Sequence, residues 1–247
     1  MIDLDGVVWL GEEPIAGSAE AIRRLRGEGQ RTVFVTNNSA PRIADQLAKL
    51  AAAGIEAEGD VVNSSLAAAS LLEPGSTAVV CGGPGVVEAL EARGVELRPE
   101  GPADAVVVGF HRDFDYQRLQ VAYRAVAGGA RLIGTNDDAT FPTPDGPVPG
   151  AGAILAGVVT SAGVEPEVAG KPHAPMADLV REMVGEEELT VVGDRVNTDG
   201  RLARRLGARF ALVLSGVTKE VDPDAEPEPD VVAADLAELV GRELDGA

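Results

Sequence analysis

The feature that most constrains this chain is a repeated alternation. Short β-branched apolar runs, each ending near Gly, Asn or Asp, are separated by longer stretches of helical period. The runs are 32–36, 77–81, 105–108, 131–134, 189–192 and 210–214. The helical stretches are 18–29, 41–53, 85–93, 116–128, 175–184 and 200–206. Such an alternation predicts βαβ units and a mostly parallel sheet covered on both faces. Near the end, an acidic, proline-rich stretch at 221–230 reads as an exposed linker before a short strand at 231–232 and a closing helix. In an α/β sheet, ligands bind beyond the carboxyl ends of the strands. Polar residues just after strands therefore carry the functional information.

Composition narrows the classes. The chain has 247 residues, long enough for a large core in one domain or a two-part protein. No apolar run approaches the roughly 20 residues that span a bilayer, and the start does not read as a secretory leader. The single cysteine, Cys81, excludes an internal disulfide framework and a multi-cysteine zinc site. A net charge of −19 argues against nucleic acid and anionic membranes as partners. The simplest reading of that charge is a well-solvated surface. Lysine occurs only at Lys49, Lys171 and Lys219, so arginine is the default cation. A lysine kept against that bias suits a site needing a compact ammonium.

Three strand ends carry unusual polar chemistry. They are Asp3-Leu4-Asp5-Gly6, Thr36-Asn37-Asn38-Ser39 and Gly193-Asp194-Arg195 with Thr198-Asp199. A fourth piece, Gly170-Lys171-Pro172-His173, sits in a turn before a helix. Alternate residues of an extended segment face the same way, so Asp3 and Asp5 can share a site. Close carboxylates repel unless a cation joins them or one holds a proton. A hard divalent ion fits, magnesium above all where phosphate oxygens complete its shell. Asp194 offers a third carboxylate, Lys171 a point charge, and Thr36 with Asn37 a hydroxyl and backbone N–H groups for an anion. Singly, each acid reads as a helix cap or turn residue, and Gly-Lys-Pro as a turn with a solvated lysine. The ordered set is much harder to explain that way.

These four motifs resemble those of the haloacid dehalogenase (HAD) superfamily, in the form seen in the p-nitrophenylphosphatase or NagD-like subfamily, subfamily IIA. The resemblance spans nearly the whole chain, including the stretches 109–116, 135–144 and 150–153. It implies an α/β fold: a Rossmann-like core with a mostly parallel sheet, plus an inserted α/β cap of the C2 type. The core would comprise 1–72 and 168–247, and the cap 73–167. It implies a magnesium-dependent phosphatase acting on a small phosphate monoester, such as a sugar phosphate, glycerol phosphate or nucleotide, through an aspartyl-phosphate. Asp3 would be the nucleophile and Asp5 the acid and then the base. Asp3, Asp194 and the Asp5 carbonyl would hold the metal, with Asp199 behind it supporting its waters or orienting Lys171. Thr36, Asn37 and Lys171 would hold the phosphoryl group, and Asn136, Asp138 and His111 are candidate substrate contacts. A small phosphorylated metabolite is the implied partner, with a homodimer left open and a cytoplasmic location expected.

There are departures. Only Met1 and Ile2 precede Asp3, Asn197 stands where relatives often have an acid, and His111 where cap sequences often have Asp. Alternatives are a phosphomutase using the same aspartyl-phosphate, a receiver-like phosphoacceptor, or a silent phosphosugar-binding protein. Receivers are about half this length and lack the acid two residues on, and the intact acid, metal and lysine set argues against silence. Cys81-Gly82-Gly83-Pro84-Gly85 lacks dinucleotide-loop spacing and reads as a plain turn. His111 and His173 are too few and too far apart for a metal cluster, and His173 reads as a helix-entry residue. Trp9 either lines the site entrance or packs beside it.

Overall fold

In the computed structural model, which describes residues 1–246, the alternation forms two separate parallel sheets rather than one. The first contains Phe34–Thr36 paired with Val61–Asn63, and Thr190–Gly193 paired with Arg209–Val213, which pairs in turn with Val231–Ala233. Ile2 joins the two groups by parallel bridges to Phe34 and Val192. The Ile2 N–H donates to the Val33 carbonyl at 2.8 Å, and the Asp3 N–H to the Val192 carbonyl at 2.9 Å. The short amino-terminal segment thus lies at the sheet's centre and delivers Asp3 to its carboxyl edge.

The second sheet has the order 167–168, 131–134, 105–108, 77–81, 96–98, all parallel. Its edge strand Glu167–Val168 runs one residue past the expected boundary at 167. One face, with Val79, Val106, Val108 and Leu132, packs on helices Tyr116–Ala127 and Ala151–Ala162. The other, with Ala78, Ala105, Val107 and Ile133, joins a cluster that includes Val35, Val62 and Leu212 of the first sheet. The opposite face of the first sheet, with Phe34, Val192 and Val213, meets Ile22 and Leu239 from the flanking helices Ser18–Gly27 and Leu236–Asp245. Apolar burial is therefore continuous from one sheet to the other, the main attractive force between them.

The helices start and stop where side-chain chemistry directs. Asn63, Asp115 and Asp235 each accept a hydrogen bond from a first-turn N–H, at 3.0, 2.8 and 2.8 Å. Helix Ala174–Val184 carries Pro175 in its first turn and ends at Gly185, burying Met176, Ala177, Val180 and Val184 along one stripe. Two differences from expectation concern helices. Ser64–Ser70 and Ala151–Ala162 are helical though no helix was expected there. The stretch expected at 200–206 opens with a wider turn over Val196–Gly200 before the α-helix Arg201–Arg205. Two antiparallel hairpins, Trp9–Leu10 with Glu13–Pro14 and Thr140–Phe141 with Val148–Pro149, flank the carboxyl edge of the first sheet. Among the described residues no helix is long and apolar enough to cross a membrane.

Candidate active site

Asp3, Asp5, Thr36, Asn37 and Lys171 meet in one small cavity of about 40 Å³ at the carboxyl edge of the first sheet. Asn136, Asp138, Phe110 and Phe141 close it from the second sheet's loops, and Arg195 lines it as well. Lys171 is 1 % exposed and anchors the floor. Its ammonium sits 2.8 Å from Asp3 Oδ1, 2.7 Å from Asp199 Oδ1 and 3.0 Å from the Val35 carbonyl. Burial works to lower the Lys171 pKa, but the charges of Asp199 and Asp3 more than reverse this and hold the ammonium charged. Asp3 Oδ1 also accepts the Leu4 N–H at 2.8 Å. Among the described residues nothing bonds its other oxygen. Burial raises the Asp3 carboxyl well above the usual range, opposed by Lys171.

Asp5 is held apart from this ion cluster. Its Oδ1 accepts the Trp9 indole N–H at 3.1 Å, and its Oδ2 faces the Thr36 hydroxyl at 3.4 Å. Burial raises its pKa, with the Trp9 hydrogen bond the largest opposing influence. Asp194 follows Thr190–Gly193 and accepts the Val217 N–H on Oδ2 at 2.5 Å. Among the described residues, its buried Oδ1 has no partner. Burial, then the charge of Asp199, pushes its pKa up to about 7. Asp3, Asp194 and Asp199 each place a carboxylate oxygen within 4.8 Å of the others.

That arrangement fits a divalent cation. It gathers more carboxylates than Lys171 neutralises, leaves a buried oxygen unpartnered, and offers hard oxygen donors. Asp199 has less to offer a metal, because Oδ1 takes Lys171 and Oδ2 takes the Arg195 N–H at 3.2 Å and the Thr198 hydroxyl at 3.4 Å. Two glycines make room for Asp194. A methyl group on Gly6, whose φ is +91°, or on Gly216 would collide with the Asp194 carboxylate.

Asn37 ties the sheets together. Its side chain accepts the Lys171 N–H at 2.7 Å and donates to Asp138 Oδ2 at 2.9 Å and to the Lys171 carbonyl at 3.1 Å. Its carbonyl accepts from Asn136 Nδ2 at 2.7 Å. Asp138 Oδ1 is buried beside the cavity with no partner among the described residues. Asn136 and Asp138 therefore reach the site, whereas His111 does not. The His111 ring hydrogen-bonds the Gly109 carbonyl at 2.9 Å and lies edge-on to Phe114, which folds it back from the cavity. Asn197 is exposed and does not line the cavity. Sequence reasoning missed Arg195 as a lining residue, which donates to the Thr140 carbonyl at 2.9 Å, and the stacked pair Phe110 and Phe141 at 5.5 Å. Arg195 sat inside a motif, and Phe110 and Phe141 inside stretches that carry the family resemblance, but nothing in the sequence showed that the two rings would meet.

Comparison with known proteins agrees with this geometry. The family model for haloacid dehalogenase-like hydrolases matches residues 1–96, and a HAD-hydrolase-like model matches residues 168–239. An acid sugar phosphatase from Staphylococcus saprophyticus is 35% identical, covering 99% of this chain and 97% of its own. The structure of a p-nitrophenyl phosphatase from Archaeoglobus fulgidus superposes with a TM-score of 0.88 at 31% identity, covering 97% of each chain. A glycerol phosphate phosphatase from Mycobacterium tuberculosis in complex with magnesium has a TM-score of 0.88 at 33% identity, covering 97% of this chain and 75% of its own. The chain belongs to the haloacid dehalogenase-like hydrolases.

Proposed function

We propose that Asp3 and Asp5 are the nucleophile and the acid–base of a phosphatase for small phosphate monoesters, with magnesium as cofactor. The observation that carries this reading is the asymmetry of Asp3. One oxygen is pinned by Lys171 and Leu4 N–H, and the other is free beside a second carboxyl group, Asp5, in the same cavity. A carboxylate so held presents one oxygen for in-line attack. Asp3 forms a bond to phosphorus while the ester oxygen leaves and takes the proton of Asp5. Asp5, now a carboxylate, removes a proton from water, which attacks phosphorus, frees Asp3 and releases phosphate. Thr36 and the Asn37 N–H hold the phosphoryl oxygens as charge redistributes, and the Lys171 ammonium, whose three N–H groups are taken by Asp3, Asp199 and the Val35 carbonyl, acts on them through its charge.

Asp3, Asp194 and the Asp5 carbonyl are the groups that would hold magnesium. When bound, the ion offsets the carboxylate charge so that a phosphate dianion can approach them. Asp199 keeps Lys171 pointed at Asp3. The segment 73–167 acts as a cap whose residues Asn136 and Asp138 read the leaving group. The substrate is a small phosphate monoester such as a sugar phosphate, glycerol phosphate or nucleotide, and we place the enzyme in the cytoplasm, where such metabolites occur.

Phosphate release from an aryl phosphate, with and without magnesium, tests the reading. Activity should require the ion, and Asp3→Asn should lower kcat by several orders of magnitude with the fold retained. More than a few per cent residual turnover in that variant would remove Asp3 as the nucleophile.

A further inference from the structure

The loop that follows Asp5 folds back on itself. The Gly6 N–H donates to the Trp9 carbonyl at 2.7 Å, and the Trp9 N–H to the Leu4 carbonyl at 3.2 Å. A parallel bridge between Asp5 and Trp9 closes the loop. The result is that the chain's only tryptophan, 4 % exposed, brings its indole Nε1 to 3.1 Å from Asp5 Oδ1. On the ring lies Lys49, its ammonium 4.5 Å from the centroid. Lys49 is itself tethered by the Gly11 carbonyl at 2.5 Å and by Glu12 at 3.5 Å. Two of the chain's rarest residue types are thus stacked behind one carboxyl group.

We infer that Trp9 is a positioning residue that fixes which oxygen of Asp5 carries the transferable proton, and that Lys49 strengthens it. This rests on the reading of Asp5 as acid and base. The physical point is that an indole N–H donates and never accepts. A carboxyl carbonyl oxygen accepts such a bond better than the hydroxyl oxygen does, so the indole favours the form of protonated Asp5 in which its partner oxygen carries no proton. Oδ1 is kept as the acceptor, and the proton resides on Oδ2, the oxygen that faces Thr36 at the phosphoryl site. In the first half-reaction that proton passes from Oδ2 to the leaving oxygen as its bond to phosphorus breaks. In the second, Oδ2 receives a proton from the attacking water. Without the indole, the carboxyl group can present either oxygen, and part of the population aims its proton away from the leaving group. A cation over the ring face draws electron density from the indole and makes its N–H a better donor. Packing alone explains a buried tryptophan, but not a donor aimed at the acid with a cation over its ring face.

The test exploits leaving-group chemistry. Trp9→Phe keeps an aromatic ring under Lys49 and removes the N–H together with part of the buried ring volume; the lost volume has no reason to discriminate between leaving groups. On an alkyl phosphate such as glycerol phosphate, kcat should fall on the order of 10-fold with KM little changed. On p-nitrophenyl phosphate, whose leaving group needs little protonation, the loss should stay below about 3-fold. Asp5→Asn, measured beside it, should give the same split more strongly. If Asp5→Asn gives no split, the reading of Asp5 itself fails. If Asp5→Asn splits the substrates and Trp9→Phe slows both equally or neither, the inference about Trp9 is overturned. Should Trp9→Phe not fold, Lys49→Gln leaves the indole in place and alters a partly exposed side chain. It should produce the same split at about 2- to 3-fold, and an equal loss on both substrates counts against the inference. A separate readout needs no turnover. The emission of the single tryptophan should move to shorter wavelength in Asp5→Ala, because the carboxylate acceptor is gone. An unmoved spectrum would mean the indole is not bonded to Asp5.

Discussion

Each of the three ammonium protons of Lys171 has an acceptor: Asp3, Asp199 and the Val35 carbonyl. A planar guanidinium is larger and cannot direct donors to three points around one nitrogen. Lys171→Arg preserves the charge, so a purely electrostatic role would cost little. We expect instead a loss on the order of 10²-fold or more in kcat/KM, because Asp3 loses its fixed orientation. Steady-state kinetics at saturating magnesium decide it, and near-normal activity would reduce Lys171 to general electrostatic support. Asp194 makes the companion case. Its folded pKa of about 7 stands above the usual carboxylate value of 3.8. Between those values the folded chain keeps a proton that the unfolded chain releases. Its contribution to stability therefore falls as pH rises through that window. Magnesium needs the deprotonated carboxylate, so it relieves this cost most where the proton is already lost. The rise in Tm on adding magnesium should be larger at pH 8 than at pH 5. An equal rise at both values would show that Asp194 does not take part. Residues of this kind were legible in the sequence because lysine is rare and the acids sit at strand ends. The bond from Trp9 to Asp5 was not, because it depends on how a four-residue turn closes.

At the scale of elements, the site is a product of strand ends that a sheet brings together. Asp3, Thr36 and Asp194 are far apart in sequence and adjacent only because Ile2 bridges both Phe34 and Val192. The loop Leu4–Trp9 then has to turn within van der Waals reach of Asp194, which is why position 6 is glycine with φ +91°. Gly6→Ala meets both a strained backbone and the Asp194 carboxylate. We expect it to cost roughly 1–3 kcal/mol from backbone strain and to weaken magnesium binding by moving Asp194. Chemical denaturation and a magnesium titration followed by Tm measure the two effects separately. A variant that binds magnesium normally would mean the loop adjusts without moving Asp194. The strands and helices with strong period were legible within a residue or two, since burial on a fixed face dictates the pattern. Helix Ala151–Ala162 was not, because glycines at 152 and 157 and the Val-Val-Thr run weaken its intrinsic preference, and packing on the second sheet supplies the rest. Some short strands, such as Val61–Asn63 and Glu96–Arg98, carry too few alternations to stand out from their surroundings. Nor did periodicity alone reveal that the strands divide between two sheets; the position of the insertion between motifs carried that.

The whole molecule adds a term that no single site contains. A net charge of −19 surrounds a cavity that has to receive a phosphate dianion. Inside the cavity, Lys171 and Arg195 are the cationic lining residues, and Lys171 is already committed to Asp3 and Asp199. At low salt the screening length, ~30 Å at 0.01 M, exceeds the distance over which a substrate approaches, so it meets the field of the entire surface. At 0.15 M that length falls to about 8 Å, and only the groups near the cavity act on it. The global field is repulsive, and the local one, once magnesium joins Lys171 and Arg195 against the site's carboxylates, is close to balanced. Screening therefore removes more repulsion than attraction. At saturating magnesium, kcat/KM for a dianionic monoester should rise about 2- to 5-fold as ionic strength goes from roughly 0.02 to 0.15 M. Turnover at saturating substrate should stay nearly constant, because the chemical step is shielded from the outer surface. Most enzymes that take anions place the opposite sign around the entrance, for which the same titration lowers kcat/KM. A fall here would mean that the charges at the cavity mouth, rather than the acidic surface, govern the approach of the substrate.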